Sequence, residues 1–308
     1  MTEAKIMKIV LAGGSGLIGQ KVTEVLQAAG HQIIVLTRKN MINNKNTAYV
    51  KWLYEGLSPE DEIGFADAFI NLAGVSINDG RWTTTHQQQI YDSRMSATDE
   101  LLRIIHSLPE KPSVLINASA IGIYPASDDK LYTDQSSEVA NDFLGKTVYD
   151  WEQKAVSAEN EGLRVVCTRF GVVLSQDGGA FPLMVLPYKL FAGGTVGTGK
   201  QWISWVHIND VARAILFALE NENISGALNV TAPSPTRMKE FGQTIGYVLR
   251  RPHWIPAPSF AMKLALGKKS ALVLTGQHVT PEELLKNNFD FSFPTLESAL
   301  ENLFTKNV

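Results

Sequence analysis

Residues 6–19 read Ile6-Met-Lys-Ile-Val-Leu-Ala-Gly-Gly-Ser-Gly-Leu-Ile-Gly19, and this stretch decides the fold class. Residues 6–12 form a short apolar run rich in β-branched side chains and closed by glycine, which is the signature of a strand buried on both faces. A helical stretch over residues 20–29 follows, with Val22, Val25 and Leu26 on one face and Gly30 to close it. Residues 33–37 make a second buried strand. Strand, glycine turn, helix and strand together are one βαβ unit.

The alternation continues outward. Residues 68–72, 114–118 and 164–169 read as strands, and 86–108 and 142–159 as helices. Strands alternating with helices predict an α/β protein, a Rossmann-type doubly wound parallel sheet. The crevice of such a sheet lies at the strand C-termini, here Gly13, Ala73, Ser119 and Gly171. The last third changes character. Most of the 13 prolines lie after residue 120, in loops such as Thr231-Ala-Pro-Ser-Pro235. The expected division is a nucleotide-binding domain over residues 1–175 plus 207–232, with a smaller C-terminal substrate lobe over 176–206 plus 233–308.

The 308 residues carry 28 Lys and Arg against 31 Asp and Glu, a net charge of −3. That balance lacks the basic footprint of a nucleic-acid binder. With 44% hydrophobic and 19% charged residues the chain is ordinary for a globular protein. Cys167 is the single cysteine, so neither an intrachain disulfide nor a cysteine-rich zinc site is expected, and the six scattered histidines predict no metal. No run of 18 apolar residues marks a membrane span, and the N-terminus does not read as a secretory leader, so the expected location is cytoplasmic.

The glycines are spaced Gly13-x-x-Gly16-x-x-Gly19 between a strand and a helix. Glycine allows a tight turn and close backbone approach to a pyrophosphate, which the N–H groups and positive end of the helix then hold. The alternative is a tight turn without a ligand. At the end of the second strand stands Thr37-Arg38-Lys39, where NAD readers place an acid. The planar fork of Arg38 suits a 2′-phosphate, so NADP(H) is the expected cofactor rather than NAD.

The glycine pattern and Asn71-Leu-Ala-Gly74 resemble the short-chain dehydrogenase/reductase superfamily in its extended, sugar-nucleotide-epimerase-like branch. Arg81-Trp-Thr83, Ser93-Arg94, Ser119-Ala-Ile-Gly-Ile-Tyr124, Trp151-Glu152 and Arg169-Phe-Gly-Val-Val-Leu-Ser175 narrow the likeness. Ser204-Trp-Val-His-Ile-Asn-Asp210, Asn229-Val-Thr-Ala-Pro233 and Leu274-Thr-Gly-Gln-His-Val-Thr-Pro281 narrow it further. Together they resemble the atypical subgroup known as epimerase family proteins, over nearly the whole chain. The resemblance implies that Gly13, Ser15, Gly16, Leu17, Ile18 and Gly19 surround the pyrophosphate. It places Leu72, Ala73 and Gly74 on the adenosine and ribose side, and Gly171 and Val172 near the nicotinamide. Many extended members pair two helices, here about 86–107 and 142–159, into a dimer; the polar face of these predicts a monomer or a homodimer.

The superfamily's usual engine is a Tyr-x-x-x-Lys pair on one helix face with a serine on the preceding strand loop. The chain departs from it. Tyr149 is followed four residues later by Gln153, and anchoring on Trp151-Glu152 puts Gly145 and Tyr149 in the two slots. The acid–base candidates are therefore Ser119, Tyr124, Lys146 and Tyr149, with Glu152 facing either the site or the sheet. His207 and Asp210 form either a proton relay or a helix cap. For substrate, Arg81 and Trp82 suit an anionic or sugar-nucleotide ligand, and Gln201, Trp202 and Trp205 form either a stacking lip or core. Two readings follow. One is an NADP-dependent oxidoreductase or epimerase-like enzyme acting on a small polar substrate; the other is a non-catalytic NADP(H)-binding redox sensor or regulatory protein.

Overall fold

Alternate side chains of β1 (Lys8–Ala12) point to opposite faces, and both faces are covered. Ile9 and Leu11 pack with Val22 and Leu26 of α1 (Leu17–Ala28), while Val10 and Ala12 pack into a second apolar layer on the other side. The computed structural model describes residues 6–44 and 46–305. β2 (Gln32–Thr37) and β3 (Thr47–Lys51) extend the sheet on one side of β1. After α2 (Pro59–Ile63) the chain crosses back and β4 (Ala68–Asn71) pairs on the other side. The 24-residue α3 (Thr84–Ser107) leads to β5 (Val114–Ala120), and the short β6 (Leu131–Tyr132) precedes α4 (Phe143–Val156). β7 (Arg164–Phe170) continues the sheet.

Beyond Gly171 come β8 (Val172–Leu174), α5 (Phe181–Lys189), β9 (Trp202–Ile203), β10 (Trp205–His207) and α6 (Ile208–Glu220). β11 (Gly226–Val230) closes the sheet, followed by β12 (Thr236–Arg237), α7 (Met238–Leu249), α8 (Ser259–Leu266) and α9 (Ala271–Leu274). β13 (His278–Val279), α10 (Glu282–Lys286) and α11 (Leu296–Thr305) end the described chain. The central sheet has the order β3-β2-β1-β4-β5-β7-β11 with every pair parallel, which is the α/β doubly wound architecture expected. The strand order reverses between β1 and β4, so the crevice opens beyond their C-terminal ends.

Three elements differ from the sequence reading for local reasons. β3 is a short edge strand whose Thr-Ala-Tyr-Val-Lys pattern carries little periodicity, and the sequence reading missed it. α3 starts at Thr84 because the Thr83 hydroxyl accepts from the His86 N–H at 3.1 Å. α6 begins at Ile208, capped by His207, whose Nδ1 accepts from the Asn209 N–H at 3.1 Å. His207, not Asp210, therefore caps that helix. The Asp210 carboxylate accepts the backbone N–H groups of Ser292 and Phe293, each at 2.9 Å, and clasps the C-terminal segment to α6.

A separate apolar core gathers Leu174, Phe181, Val185, Trp205, Phe241, Ile245, Leu300 and Leu303. Leu284 and Phe289 instead join the core of the main sheet beside β11. Among the described residues no helix is long and apolar enough to cross a membrane. Cys167 is buried in β7, and burial, with Glu152 adding to it, pushes its thiol pKa well above the ordinary value. Native protein should therefore leave this thiol unmodified by a chromogenic disulfide reagent, and guanidinium should release it; fast labelling of folded protein would refute the burial.

Candidate functional site

The turn between β1 and α1 is shaped by glycines that admit no side chain. Gly13 has φ +82°, and a Cβ there would lie 2.6 Å from the Leu72 carbonyl. A Cβ at Gly19 would lie 2.2 Å from the Gly13 carbonyl oxygen. The Gly16 N–H closes the turn on the Gly13 carbonyl at 3.0 Å, and no side chain caps α1. The first N–H groups of α1 are thus left to the crevice, the arrangement that accepts a phosphate. Ser15 and Gly16 are exposed there, with Leu17 and Ile18 half-buried. The loop at Gly178 and Gly179 comes against the Leu17 side chain and walls the turn from above.

Thr37 and Arg38 end β2 beside this turn. The Thr37 hydroxyl accepts from the Lys39 N–H at 3.1 Å, and the Arg38 side chain is exposed, its carbonyl accepting from the Tyr54 hydroxyl at 2.9 Å. Leu72 and Ala73 follow β4. The Leu72 N–H reaches the Ala12 carbonyl, and the Ala73 N–H reaches Asn71 Oδ1 at 3.2 Å. Asn71 is itself buried and donates to Thr98 and Asn117, so the rim at 72–74 is held from below. Gly171 and Val172 leave β7 close under the Ser204 carbonyl, which accepts from the Val172 N–H at 2.8 Å.

At the end of β5 lies a buried polar network that the sequence reading did not assemble. The Ser119 hydroxyl donates to Glu152 of α4. Arg169 of β7 grips the same carboxylate with two nitrogens, Nε at 2.8 Å and Nη2 at 2.7 Å. Its Nη1 donates to the Tyr124 hydroxyl at 2.7 Å, and the single proton of that hydroxyl has two acceptors in reach, Asn229 Oδ1 at 2.8 Å and the Thr133 carbonyl at 3.0 Å. Burial works against the Arg169 charge, but the Glu152 carboxylate outweighs it and holds the guanidinium pKa above its ordinary value. Burial raises the Tyr124 pKa against the opposing pull of Arg169, so the phenol stays neutral. The signal was present in the sequence: Arg169 is a charge near the end of a strand whose middle, Val165-Val-Cys167, is apolar, and a buried charge there needs an acidic partner.

The four acid–base candidates are thus separated. Ser119 and Tyr124 are buried in this network, whereas Lys146 and Tyr149 sit on the exposed face of α4, with Tyr149 43% accessible. The slot two turns before Glu152 is Gly145, where a Cβ would meet the Ala140 carbonyl oxygen at 2.2 Å. No tyrosine fits there without moving the backbone. Of the residues offered for substrate, Trp205 and Trp82 lie in the interior. Trp205 is fully buried in the second core, its indole N–H on the Ser234 carbonyl at 3.0 Å. Trp82 is buried under its loop, donating to the Ile77 carbonyl at 2.9 Å and packing edge-on against Phe143. Arg81 is exposed. Trp202 stacks on His278 at 3.8 Å, with Arg237 over its other side, and Gln201 is buried.

Comparison with known proteins agrees with this geometry. Residues 9–231 match the family model described as NAD dependent epimerase/dehydratase family, and 257–303 match a domain of unknown function, DUF1731. The epimerase family protein YfhF of Bacillus subtilis (strain 168) is 47% identical over 298 residues, covering 96% of this chain and 98% of that protein. The crystal structure of human epimerase family protein SDR39U1 (isoform 2) with NADPH superposes with a TM-score of 0.87 at 32% identity. That superposition covers 98% of this chain and 100% of the human one. A nucleoside-diphosphate sugar epimerase from Corynebacterium glutamicum gives a TM-score of 0.77 at 27% identity, over 97% of this chain and 59% of that chain. An NAD(P)-binding Rossmann fold with this glycine turn and these relatives places the chain in the NAD dependent epimerase/dehydratase family, among the epimerase family proteins.

Proposed function

We propose that the protein is an NADP(H)-dependent oxidoreductase or epimerase-like enzyme acting on a small polar substrate of nucleotide-sugar-like chemistry, held between the sheet and the C-terminal lobe. The single observation that carries this reading is the glycine cradle at Gly13, Gly16 and Gly19 with the exposed Arg38 at the neighbouring strand end. In this reading Ser15 to Ile18 hold the pyrophosphate on the N-terminus of α1, and Arg38 pairs with the 2′-phosphate. Leu72 to Gly74 border the ribose side, and Gly171 and Val172 border the nicotinamide. The bound cofactor would supply a hydride acceptor or donor. Residues 176–206 and 233–308 would cover the substrate.

Ser119 is the acid–base candidate that this reading selects. It ends a central strand, and its proton is already directed at the Glu152 carboxylate, which Arg169 orients. A substrate hydroxyl passing its proton to Ser119 would send the serine proton on to Glu152, and the reverse transfer would protonate a carbonyl oxygen. Tyr124 would orient Arg169. A second reading, a non-catalytic NADP(H)-binding sensor, is favoured by the closed slot at Gly145 and the exposed Tyr149, which leave no tyrosine–lysine pair.

Titration with NADPH and NADH, followed by nicotinamide fluorescence, tests the cofactor assignment. A charge-assisted hydrogen bond is worth about 1.5–3 kcal/mol, so Arg38→Ala should cut the preference for NADPH by about tenfold or more. An unchanged preference would remove Arg38 from the 2′-phosphate. Turnover of any carbonyl or alcohol substrate that fell on Ser119→Ala with cofactor affinity intact would favour the enzyme over the sensor.

A further inference from the structure

The outer face of α5 is apolar. Phe181, Val185 and Tyr188 turn inward to the second core, whereas Leu186, Leu190 and Phe191 are exposed. Trp254 and Ile255 are exposed beside them. Their backbone N–H groups both donate to the Gly193 carbonyl, at 2.8 and 3.0 Å, and the Trp254 indole N–H donates to the Phe191 carbonyl at 2.8 Å. The end of α5 and the segment at Trp254 therefore form one surface, on which Phe191 is 54% and Trp254 68% accessible. Large apolar side chains gathered on an exposed face mark an interaction site more often than isolated ones do.

Phe191 is held there against its own backbone preference. α5 ends with the Phe191 N–H on the Tyr188 carbonyl at 3.0 Å and the Ala192 N–H on the Pro187 carbonyl at 2.8 Å. This cap usually places glycine where Phe191 stands. Phe191 has φ +59°, a left-handed conformation that sets its Cβ against the following carbonyl oxygen. Its ring gains little burial in return, touching the Arg251 guanidinium, whose Cζ lies 4.3 Å from the ring centre. Strain of this kind, kept without a folding benefit, points to function. The charge around the face is cationic. Lys189 and Arg250 are exposed, and Arg251 is half-buried against Phe191. Residues 178–209 and 241–281 contain no Asp or Glu, in a chain whose net charge is −3. Glu301 of α11 shares a hollow with Arg250 and Arg251 at the border.

We propose that this face docks peripherally on the anionic phospholipid surface of a membrane. Phe191 and Trp254 enter the boundary between headgroups and acyl chains, and Lys189 and Arg251 meet the lipid phosphates. A second copy docked through the same face would set these cations against one another, so the partner is anionic. A partner protein needs directional hydrogen bonds to fix its register, and residues 186–192 and 254–258 expose no uncharged polar side chain to supply them. A lipid surface needs only apolar burial and diffuse charge. The Trp254 indole N–H already has its acceptor, so the ring enters lipid without an unpaired donor. The proposal is independent of the cofactor reading above.

Co-sedimentation of the full chain with vesicles of phosphatidylglycerol and, separately, of phosphatidylcholine tests it. Wild type should bind phosphatidylglycerol, and phosphatidylcholine about tenfold or more weakly. Phe191→Gly should melt no lower than wild type, because glycine is free at this φ, yet bind phosphatidylglycerol about tenfold or more weakly. Lys189→Gln, a change on the exposed face of α5, should weaken binding about threefold or more. Trp254 is the one exposed tryptophan among the described residues. Phosphatidylglycerol brominated on its acyl chains should therefore quench the emission on binding, and Trp254→Ala should abolish that quenching. No binding of wild type to phosphatidylglycerol, or wild-type affinity in both Phe191→Gly and Lys189→Gln, would overturn the proposal. Sedimentation without quenching would remove the rings from the lipid and overturn it as well. A concentration-dependent dimer without lipid, lost in Phe191→Gly, would give the face to a second copy instead.

Discussion

Arg169→Met should lower the folding stability by about 3–5 kcal/mol, the usual cost of leaving one member of a buried ion pair without its partner. The pair is deeply enclosed, with side-chain accessibilities of 10% for Arg169 and 8% for Glu152. Removing the guanidinium strips the carboxylate of two charge-assisted hydrogen bonds and leaves Ser119 as its remaining side-chain partner. It also deprives the Tyr124 hydroxyl of its donor. The double variant Arg169→Met with Glu152→Gln separates these effects. Glutamine removes the orphaned charge and keeps an oxygen for the Ser119 hydroxyl, so the double variant should be more stable than Arg169→Met alone. Urea denaturation of the two single variants and the double variant closes the cycle. Additive losses would mean that the two residues do not act as a pair. Charge complementarity between β7 and α4 is therefore a structural requirement for any chemistry at Ser119.

Gly19→Ala should weaken NADPH binding by about ten- to a hundredfold, because overpacking a rigid site costs about 1–3 kcal/mol. The new methyl would meet the Gly13 carbonyl oxygen at 2.2 Å and the Gly14 Cα at 2.7 Å, and both are backbone. No flexible side chain is available to move aside, so relief has to come from displacing the turn. That displacement shifts the same N–H groups to which the proposed function assigns the cofactor pyrophosphate. Isothermal titration against NADPH, with the melting temperature of the ligand-free variant as control, distinguishes a damaged site from a damaged fold. Affinity equal to that of wild type would show that the turn is not the pyrophosphate cradle. Gly16→Ala is the contrasting variant. Its Cβ would approach the Gly13 carbonyl oxygen at 3.3 Å, tight but open to adjustment, so a smaller loss is expected.

The backbone-level features were legible in the residues themselves. Apolar runs such as residues 33–37, the helical spacing of Val22, Val25 and Leu26, and the glycines at 13, 16 and 19 report local sterics and periodicity. These depend on near neighbours in the chain. The parallel sheet, its switch point and the place of the cofactor turn follow from them. That Gln153 stands four residues after Tyr149 was legible in the same way, because it is a question of spacing on one helix.

Side-chain partnerships across elements were not legible. Arg169 and Glu152 stand on a strand and a helix, and only the packing of α4 against the sheet brings them together. Asp210 looked like a cap for its own helix, yet it binds backbone more than 80 residues away at Ser292 and Phe293. Trp82 read as a surface for a ligand and Trp205 as either a stacking lip or core, and the loop after β4 and the second core enclose them. The sequence by itself determined the sheet, the glycine turn and the family, because periodicity and backbone sterics are written locally. Only the tertiary structure decided which charges are paired and which aromatic rings are core. Desolvation and hydrogen-bond geometry are settled by groups that meet across long stretches of chain.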